Sequence, residues 1–505
     1  MMQDISNEIA EFRQLQDQFP AQFESVFPDR MAAKTVVIIP SLTLDQEILG
    51  KIDGVIHYEE RLLCLLMLLR MPNTHVVYIT SMPVHSIIMD YYLHLLPGIT
   101  SYHARQRLLT LSCFDASSRS LTEKILERPR LINRILKSIP ADHKSHIACF
   151  NVTDAERRLA VKLHMPIYGC DPDLLYLGTK NFSRKIFKEC NVNTPPGFED
   201  CKNEDDIINS LFRLKTTFPA LSKAVVKLND GFSGEGNAVF SFEGAPVNEY
   251  LHLWIHEVLP QRLQLVARDL VYKTFIEKFE MMGGIVEAFI DGDIKMSPSV
   301  QCRVTPLGET DVISTHDQLI GGESRQVFLG AYFPANKEYA MEIGKLGKRI
   351  ADKLHDYGVL GRFSIDFISV KENDEWKHFA IEINLRKGGT THPYLMLQYL
   401  TDGDYDASSA KYLTANGQPR YYFFSDNLQS EAYKGLTPHD LIEITTANDL
   451  LYDGSNQQGV VFHMISALSQ YGKLGILCIA ATPEKSMELY YRTVEVLDRE
   501  DKRSV

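Results

Sequence analysis

Between Lys34 and Gly178, short apolar runs rich in β-branched residues alternate with helical stretches, a pattern that few architectures accommodate. KTVVII, HVVYITS (His75 to Ser81), RLLTLSC (Arg107 to Cys113) and HIACFN (His146 to Asn151) read as strands buried on both faces. SIIMDYYLHLL (Ser86 to Leu96), a stretch after SLTEKILERP, and VTDAERRLAVKLHMPIYG, entered through Thr153 or Asp154, read as helices. Strands separated by helices pair in parallel, so the spacing predicts a doubly wound, Rossmann-like sheet of the α/β class. None of its strand-to-helix turns carries GxGxxG, so a dinucleotide has little support there. Ahead of this sheet, Met1 to Phe27 brings Phe12, Leu15, Phe19 and Phe23 onto or near one helical face.

A different pattern starts near Asp171. Helices at KNFSRKIFKEC and NEDDIINSLFRLK flank AVVKL, NAVFSF, YKTFIEKF, GIVEAFI, SPSVQCRV, FSIDFISV and HFAIEIN, all read as strands. Their alternation and hairpin turns predict α+β layers with antiparallel sheets. TDGDYDASSAKYLTANGQP, after Leu400, is polar and rich in turn formers and reads as a linker. Strands RYYFFSD and GVVFHMIS and the helix KSMELYYRTVEVLDRE follow it. A length of 505 residues fits about three domains. The expected division is a helical segment over 1–30, the Rossmann-like domain over 31–170, a central unit over 171–400 and a C-terminal domain over 401–505.

Composition narrows the function classes. The net charge of −12 argues against a nucleic-acid binder, which carries a basic excess. The longest apolar run, Leu62 to Leu69, falls short of the roughly 20 residues a membrane span requires and reads as the buried face of a helix. The N-terminal sequence lacks the basic flank and apolar stretch of a signal peptide. The cysteines at 64, 113, 149, 170, 190, 201, 302 and 478 have no CxxC spacing, which points to a reducing cytoplasm and away from zinc or disulfides. A soluble cytoplasmic enzyme is the expectation.

The strands FSIDFISV and HFAIEIN carry the strongest chemical signal. A hairpin centred on Asp374 puts Asp366 opposite Glu382, with Asn384 on the same face two residues on. Opposed carboxylates repel, and a hard cation removes that cost; Asp, Glu and Asn oxygens suit Mg²⁺ together with phosphates and water. The competing reading is a solvated polar sheet face, which the apolar context FAIEIN weakens. In AVVKLNDGFSGEGNAVF, Lys227 ends a strand and the loop glycines 231, 234 and 236 allow either a phosphate cradle or an ordinary β-turn. TFIEKFEMMGGIVEAFIDGD reads either as a plain hairpin or as a strand end, Glu277-Lys278-Phe279, offering backbone groups to adenine. In the second case Glu287 would meet a ribose hydroxyl. Arg303 and Arg386 are candidate clamps for developing phosphoryl or oxyanion charge. His316 in STHDQ and His392 in TTHP are candidates for substrate contact, or equally loop-structuring residues.

Taken in order, Lys180 ahead of a helix, Lys227, the glycine hairpin, Glu277-Lys278-Phe279, Arg303, Asp366, Glu382-x-Asn384 and Arg386 resemble the ATP-grasp superfamily from about Asp171 to Leu400. KLNDGFSGEGNAVF, SPSVQCRVTPLGETDVISTHDQLIGG, GAYFPA, INLRKGGTTHP and GVVFHMISAL are similar to the pheganomycin-type peptide ligases over nearly the whole chain. The resemblance implies a Rossmann-like pre-ATP-grasp domain, an ATP-grasp core and a small α+β C-terminal domain. It implies an ADP-forming ligase that joins a small-molecule carboxylate to an amine, amino acids or peptides, through an acyl phosphate. Nucleotide would then be held by Lys180, Lys227, Gly231, Ser233, Gly234, Gly236, Glu277, Lys278, Phe279 and Glu287. Mg²⁺, or Mn²⁺ in its place, would sit on Asp366, Glu382 and Asn384, with Arg303 and Arg386 catalytic and His316 and His392 near substrate. Two alternatives remain, an ATP-grasp phosphotransferase and a degenerate nucleotide-binding regulator. The opposed carboxylates speak against the second. No nucleic acid or membrane partner is expected, and a homo-oligomer is compatible with the sequence.

Overall fold

A computed structural model describes residues 2–44, 49–50, 52–231, 236–267, 270–321 and 327–503. The helix Met2–Val26 leads into a parallel sheet of β1 (Lys34–Ile39), β2 (Thr74–Thr80), β3 (Leu108–Ser112) and β4 (Lys144–Cys149), in the order β3-β2-β1-β4. Alternate residues of β1 and β2 enter different cores: Val36, Ile38, Val76 and Tyr78 on one side, Val37, Ile39, Val77 and Ile79 on the other. That division is why Val36–Ile39 and Val76–Ile79 form unbroken apolar runs, and it makes the sheet doubly wound as expected. The helix Asp154–Leu163 starts at Thr153 through a capping box with Glu156. Val55–Arg70, a 3₁₀ helix, buries Leu62 to Met67 and Leu69 against one face of the sheet.

The central unit holds two antiparallel sheets. The smaller contains β5 (Gly197–Cys201), β6 (Lys223–Leu228), β7 (Asn237–Ser241), β8 (Leu263–Leu265) and β9 (Gly284–Ala288), ordered β5-β9-β6-β7-β8. Helices Glu204–Thr217, Leu251–Arg262 and Tyr272–Met282 supply its core through Ile207, Leu211, Ile255, Leu259, Phe275 and Phe279. One sequence expectation fails here: YKTFIEKF is helix, not strand. Phe275, Ile276 and Phe279 recur at helical spacing and all pack inward, a period that strand-like residue content obscured.

The larger sheet has nine strands. β10 (Ile294–Met296) and β11 (Pro298–Val304) pair in succession along one side of β14 (Gly361–Glu372), and β15 (Glu375–Asn384) along the other. From β11 the sheet continues through β12 (Thr310–Gly321) and β13 (Val327–Phe333). It then takes in C-terminal strands β18 (Tyr421–Gln429), β20 (Lys473–Ala480) and β19 (Gly459–His463). Helix Ala340–Asp356 covers one face, so closely that a Cβ on Gly347 would lie 2.6 Å from Val300 Cγ1.

The polar stretch after Leu400 is not a loose linker. It folds into a hairpin of β16 (Asp404–Asp406) and β17 (Lys411–Leu413), with Tyr405 opposite Tyr412 and both rings buried. Tyr405 shares a hydrogen bond of 2.7 Å with Thr315, and Tyr412 one of 2.7 Å with Thr401. Two inward tyrosines anchor a segment most of whose other residues are exposed, Thr401, Gly403 and Thr414 being buried with them. Among the described residues, no helix is long and apolar enough to cross a membrane. Tyr412→Ala should cost about 3 kcal/mol or more of unfolding free energy in denaturant titrations, as large buried aromatics do. A loss below about 0.5 kcal/mol would make the hairpin a tether.

Candidate active site

The site is built on the β14–β15 hairpin. Its turn is Asn373-Asp374, both at positive φ (50° and 65°), and Glu372 pairs with Glu375. That turn alone would leave Asp366 opposite Ile381. A register shift between Asp366 and Phe367 restores the expected pairing, so that Asp366 faces Glu382 and Ser364 faces Asn384. Phe363, Ile365, Phe367, Ala380 and Ile383 fill the core on the reverse face. Asp366, Glu382 and Asn384 therefore share the face that lines an open cleft of about 200 Å³.

Each carboxylate is partnered. Asp366 accepts from Gln318 Nε2 at 2.9 Å and Asn384 Nδ2 at 3.0 Å. Burial, reinforced by the negative charge of Glu382, raises its carboxyl to about 6, although Ser299, Arg386 and Gln318 pull the other way. Burial also opposes the charge on Glu382. Lys180, whose Nζ lies 2.5 Å from Oε1, overrides it with help from Lys227 and Arg386, so this carboxyl stays below its usual range. Lys180 is the first residue of the helix Lys180–Glu189, and its backbone N–H donates to Asn229 O at 2.9 Å, tying that helix start to the end of the β6 strand. Arg386 lines the same cleft.

Lys227 stands on β6 in the smaller sheet. Its Nζ lies 2.5 Å from Glu287 Oε1, while Glu287 Oε2 takes Arg184 at 2.8 Å. Glu287, expected from sequence to meet a ribose hydroxyl, is thus placed as the buried counter-ion of Lys227 and Arg184. Gly231 and Gly236 face each other, with 3.6 Å from a Cβ built on Gly231 to Gly236 N. Leu228 N–H donates to Gly236 O at 2.8 Å, which closes the hairpin. Ser233 and Gly234 lie outside the described residues.

Several candidates are placed elsewhere. Glu277, Lys278 and Phe279 sit inside the helix Tyr272–Met282, where backbone groups bond along the helix and Phe279 is fully buried, so the strand-end hinge for adenine is absent from this segment. Arg303 pairs with Asp311 at 2.5 Å, four residues along β11 from Ser299, which is itself opposite Asp366. At strand spacing that is about 13 Å away, and Arg303 does not line the cleft. His316 is fully buried, bonded to Tyr422 Oη at 2.6 Å and packed near Phe333, where burial lowers its pKa to about 3. His392 is buried too, with Nδ1 2.9 Å from Arg61 O and its ring stacked at 4.4 Å on His463. Both rings are packed into aromatic layers, His316 on β12 and His392 on the helix Thr391–Thr401.

The cleft also contains residues that sequence reasoning did not single out. Arg61 and Phe150 reach it from the first domain, Gln318 and Phe328 from the central sheet, and Asp426 from β18. Arg61 Nη2 lies 2.5 Å from Asp426 Oδ2. Lys387, beside Arg386, donates to Cys149 O, and its backbone N–H donates to Phe150 O at 3.1 Å, so the end of β4 is held against the site.

Among the described residues, no group of three or more His, Cys, Asp or Glu side chains is placed to hold a metal ion. Two carboxylates and an amide open to a cleft are instead a donor set for a hard cation that brings its own phosphate and water ligands. The raised carboxyl of Asp366 fits that role, since a cation would offset both the burial and the repulsion from Glu382 that raise it.

Residues 173–252 and 246–408 match the family described as IQCH-like, ATP-grasp, and residues 440–493 match the PGM1 C-terminal domain. Residues 173–408 are thus similar to an ATP-grasp family. It is 26% identical over 476 residues to L-propargylglycine--L-glutamate ligase of Streptantibioticus cattleyicolor, covering 92% of this chain and 94% of that one. It is 22% identical to IQ motif-containing protein H of Danio rerio over 519 residues, 93% of this chain and 49% of that protein. Biotin carboxylase of Campylobacter jejuni shares the fold at a TM-score of 0.53 and 13% identity, over 91% of this chain and 90% of that one.

A raised carboxyl pKa fixes the sign of a stability effect. Protonated Asp366 is favoured in the folded state, so its contribution is intact below its unfolded value near 4 and is lost as pH rises through about 6. Asp366→Asn removes that loss. The melting temperature of the variant minus that of the metal-free wild type should therefore rise between about pH 4 and about pH 6, the window set by those two values, and level off above it. An equal offset at both ends would mean that Asp366 titrates normally.

Proposed function

We propose that the chain is an ATP-dependent carboxylate–amine ligase that forms an amide through an acyl phosphate and releases ADP and phosphate. The observation that carries this reading is the opposed Asp366–Glu382 pair, with Asn384 and Arg386 beside it in one cleft. Relatedness to an amino-acid ligase over 92% of the chain supports the same class. A nucleotide-binding regulator has no use for two opposed carboxylates in an apolar sheet.

ATP and Mg²⁺ are the nucleotide and metal of this reading, supported by structural neighbours solved with ADP and MgADP. Asp366, Glu382 and Asn384 would hold Mg²⁺, which supplies Lewis-acid neutralisation of phosphate charge. Lys180 and Lys227 have three donors each, so each can keep its glutamate and add a phosphate oxygen. Backbone groups around Gly231 and Gly236 would close over the phosphates.

In the first step an oxygen of the substrate carboxylate attacks the terminal phosphorus of ATP, and the bond from that phosphorus to ADP breaks. In the second, the amine nitrogen adds to the acyl carbon, the carbon–oxygen bond to phosphate breaks, and the nitrogen gives up a proton. Arg386, which lines the cleft, would donate to the oxyanion of that addition. The substrates are small carboxylates and amines of the amino-acid or peptide class, as the name of the relative supports.

Hydroxylamine tests the intermediate. Amino acids supplied one at a time with ATP, Mg²⁺ and hydroxylamine should give a hydroxamate together with ADP and phosphate. Glu382→Gln should lower that rate by about 10²-fold or more with the fold retained, on the scale of losing one charge-stabilising group. A stable phosphorylated product without hydroxamate would replace the ligase reading with a phosphotransferase.

A further inference from the structure

A ligase that couples two amino acids leaves two charges unspent. The acyl donor uses its carboxylate and keeps its ammonium, while the acceptor uses its amine and keeps its carboxylate. Drawing either charge into a partly dry cleft without a partner is costly, so the site must offer one anion and one cation away from the metal carboxylates.

The cleft has such a pair. Arg61, from the helix Val55–Arg70 of the first domain, and Asp426, from β18, line it together with Asp366, Glu382 and Arg386. Their side chains are 12% and 5% exposed and lie 2.5 Å apart. The Arg61 guanidinium is fixed over the Tyr58 ring at 4.0 Å and near Phe150 at 5.9 Å. Its Nε is buried without a hydrogen-bond partner among the described residues, a cost that a purely structural bridge would shed. A guanidinium has five N–H donors and a carboxylate about four acceptor sites. Each can therefore take a substrate group without giving up the other.

We propose that Arg61 and Asp426 are the receptor for the unspent charges: Arg61 binds the carboxylate of the amine substrate, and Asp426 binds the ammonium of the acyl substrate. The assignment rests on the ligase reading above and makes α-amino acids, or peptides presenting the same termini, the substrate class on both sides. It also gives the first domain and the C-terminal strands a shared task, since each supplies half of the receptor.

The test uses the full chain and the donor that the hydroxamate screen identifies. Acceptors are compared as amino acid and amino-acid amide, with glycine and glycinamide as the first probe, in wild type, Arg61→Met and Arg61→Lys. Wild type should prefer the acid by roughly 10–100-fold in kcat/KM, the value of a charge-assisted contact. Arg61→Met should bring the ratio towards one, and Arg61→Lys should retain most of it. Asp426→Asn should likewise erase the preference for the donor over its deamino analogue. An acid-to-amide ratio unchanged in Arg61→Met overturns the assignment. So does an equal loss with glycine, glycinamide and hydroxylamine, which would leave Arg61 as a structural residue. If wild type forms no hydroxamate with any donor, the ligase reading fails and this assignment falls with it.

Discussion

Asp366 and Glu382 face each other across two neighbouring strands, and nearly every polar feature of the cleft answers the repulsion between them. Two like charges in that geometry destabilise a sheet. Gln318 and Asn384 donate to one carboxylate and Lys180 supports the other, while burial still leaves Asp366 raised to about 6. The arrangement holds unfavourable electrostatics in place because Phe363, Ile365 and Phe367 lock the opposite face of β14 into the core. Strain of this kind marks a position kept for chemistry and not for stability.

The same hairpin organises the domains around it. Immediately after Asn384, Arg386 enters the cleft and Lys387 reaches the carbonyl of Cys149 at the end of β4. His392, seven residues after Leu385, binds the carbonyl of Arg61 and stacks on His463 of β19. One short run of chain thus touches the parallel-sheet domain, the central sheet and the C-terminal strands. Both histidines are held far below ordinary imidazole pKa values by burial, and they act as neutral packing groups, joining layers without adding charge to a crowded site.

What was legible in the sequence was local or symmetric. The opposition of Asp366 and Glu382 follows from hairpin counting, and it holds because a two-residue turn and a one-residue register shift together give the same pairing as a symmetric loop. The alternation of short apolar strands with helices predicted the doubly wound sheet correctly. The misses share another cause. In YKTFIEKF, residue types favourable to strands masked a helical spacing, and the outcome was set by packing against β6 and β9. Tyr405 and Tyr412 were hidden among turn formers, because two isolated residues are too few to establish a period of either kind. Arg61 and Asp426 are 365 positions apart and meet only through tertiary structure. Arg303 shows the reverse error: strand alternation placed it on the correct face but not at the correct distance along the strand.

The cations assigned to phosphate share one design. Lys180 lies on Glu382, and Lys227 lies on Glu287, which Arg184 also holds. An ammonium withdrawn from water with no counter-charge would carry a large desolvation cost. With a glutamate on each, the lysines sit in fixed positions while two of their three donors stay available, and an arriving phosphate adds a contact without first displacing a buried anion. The two pairs are on different subdomains, one joined to the β14–β15 hairpin and the other to the five-stranded sheet. A polyphosphate bridging them would be held from both sides, so nucleotide affinity depends on the spacing between the sheets as much as on either lysine. Lys180 bonds through its backbone to Asn229, directly after the β6 strand that bears Lys227. That contact ties the helix start bearing the first lysine to the strand bearing the second.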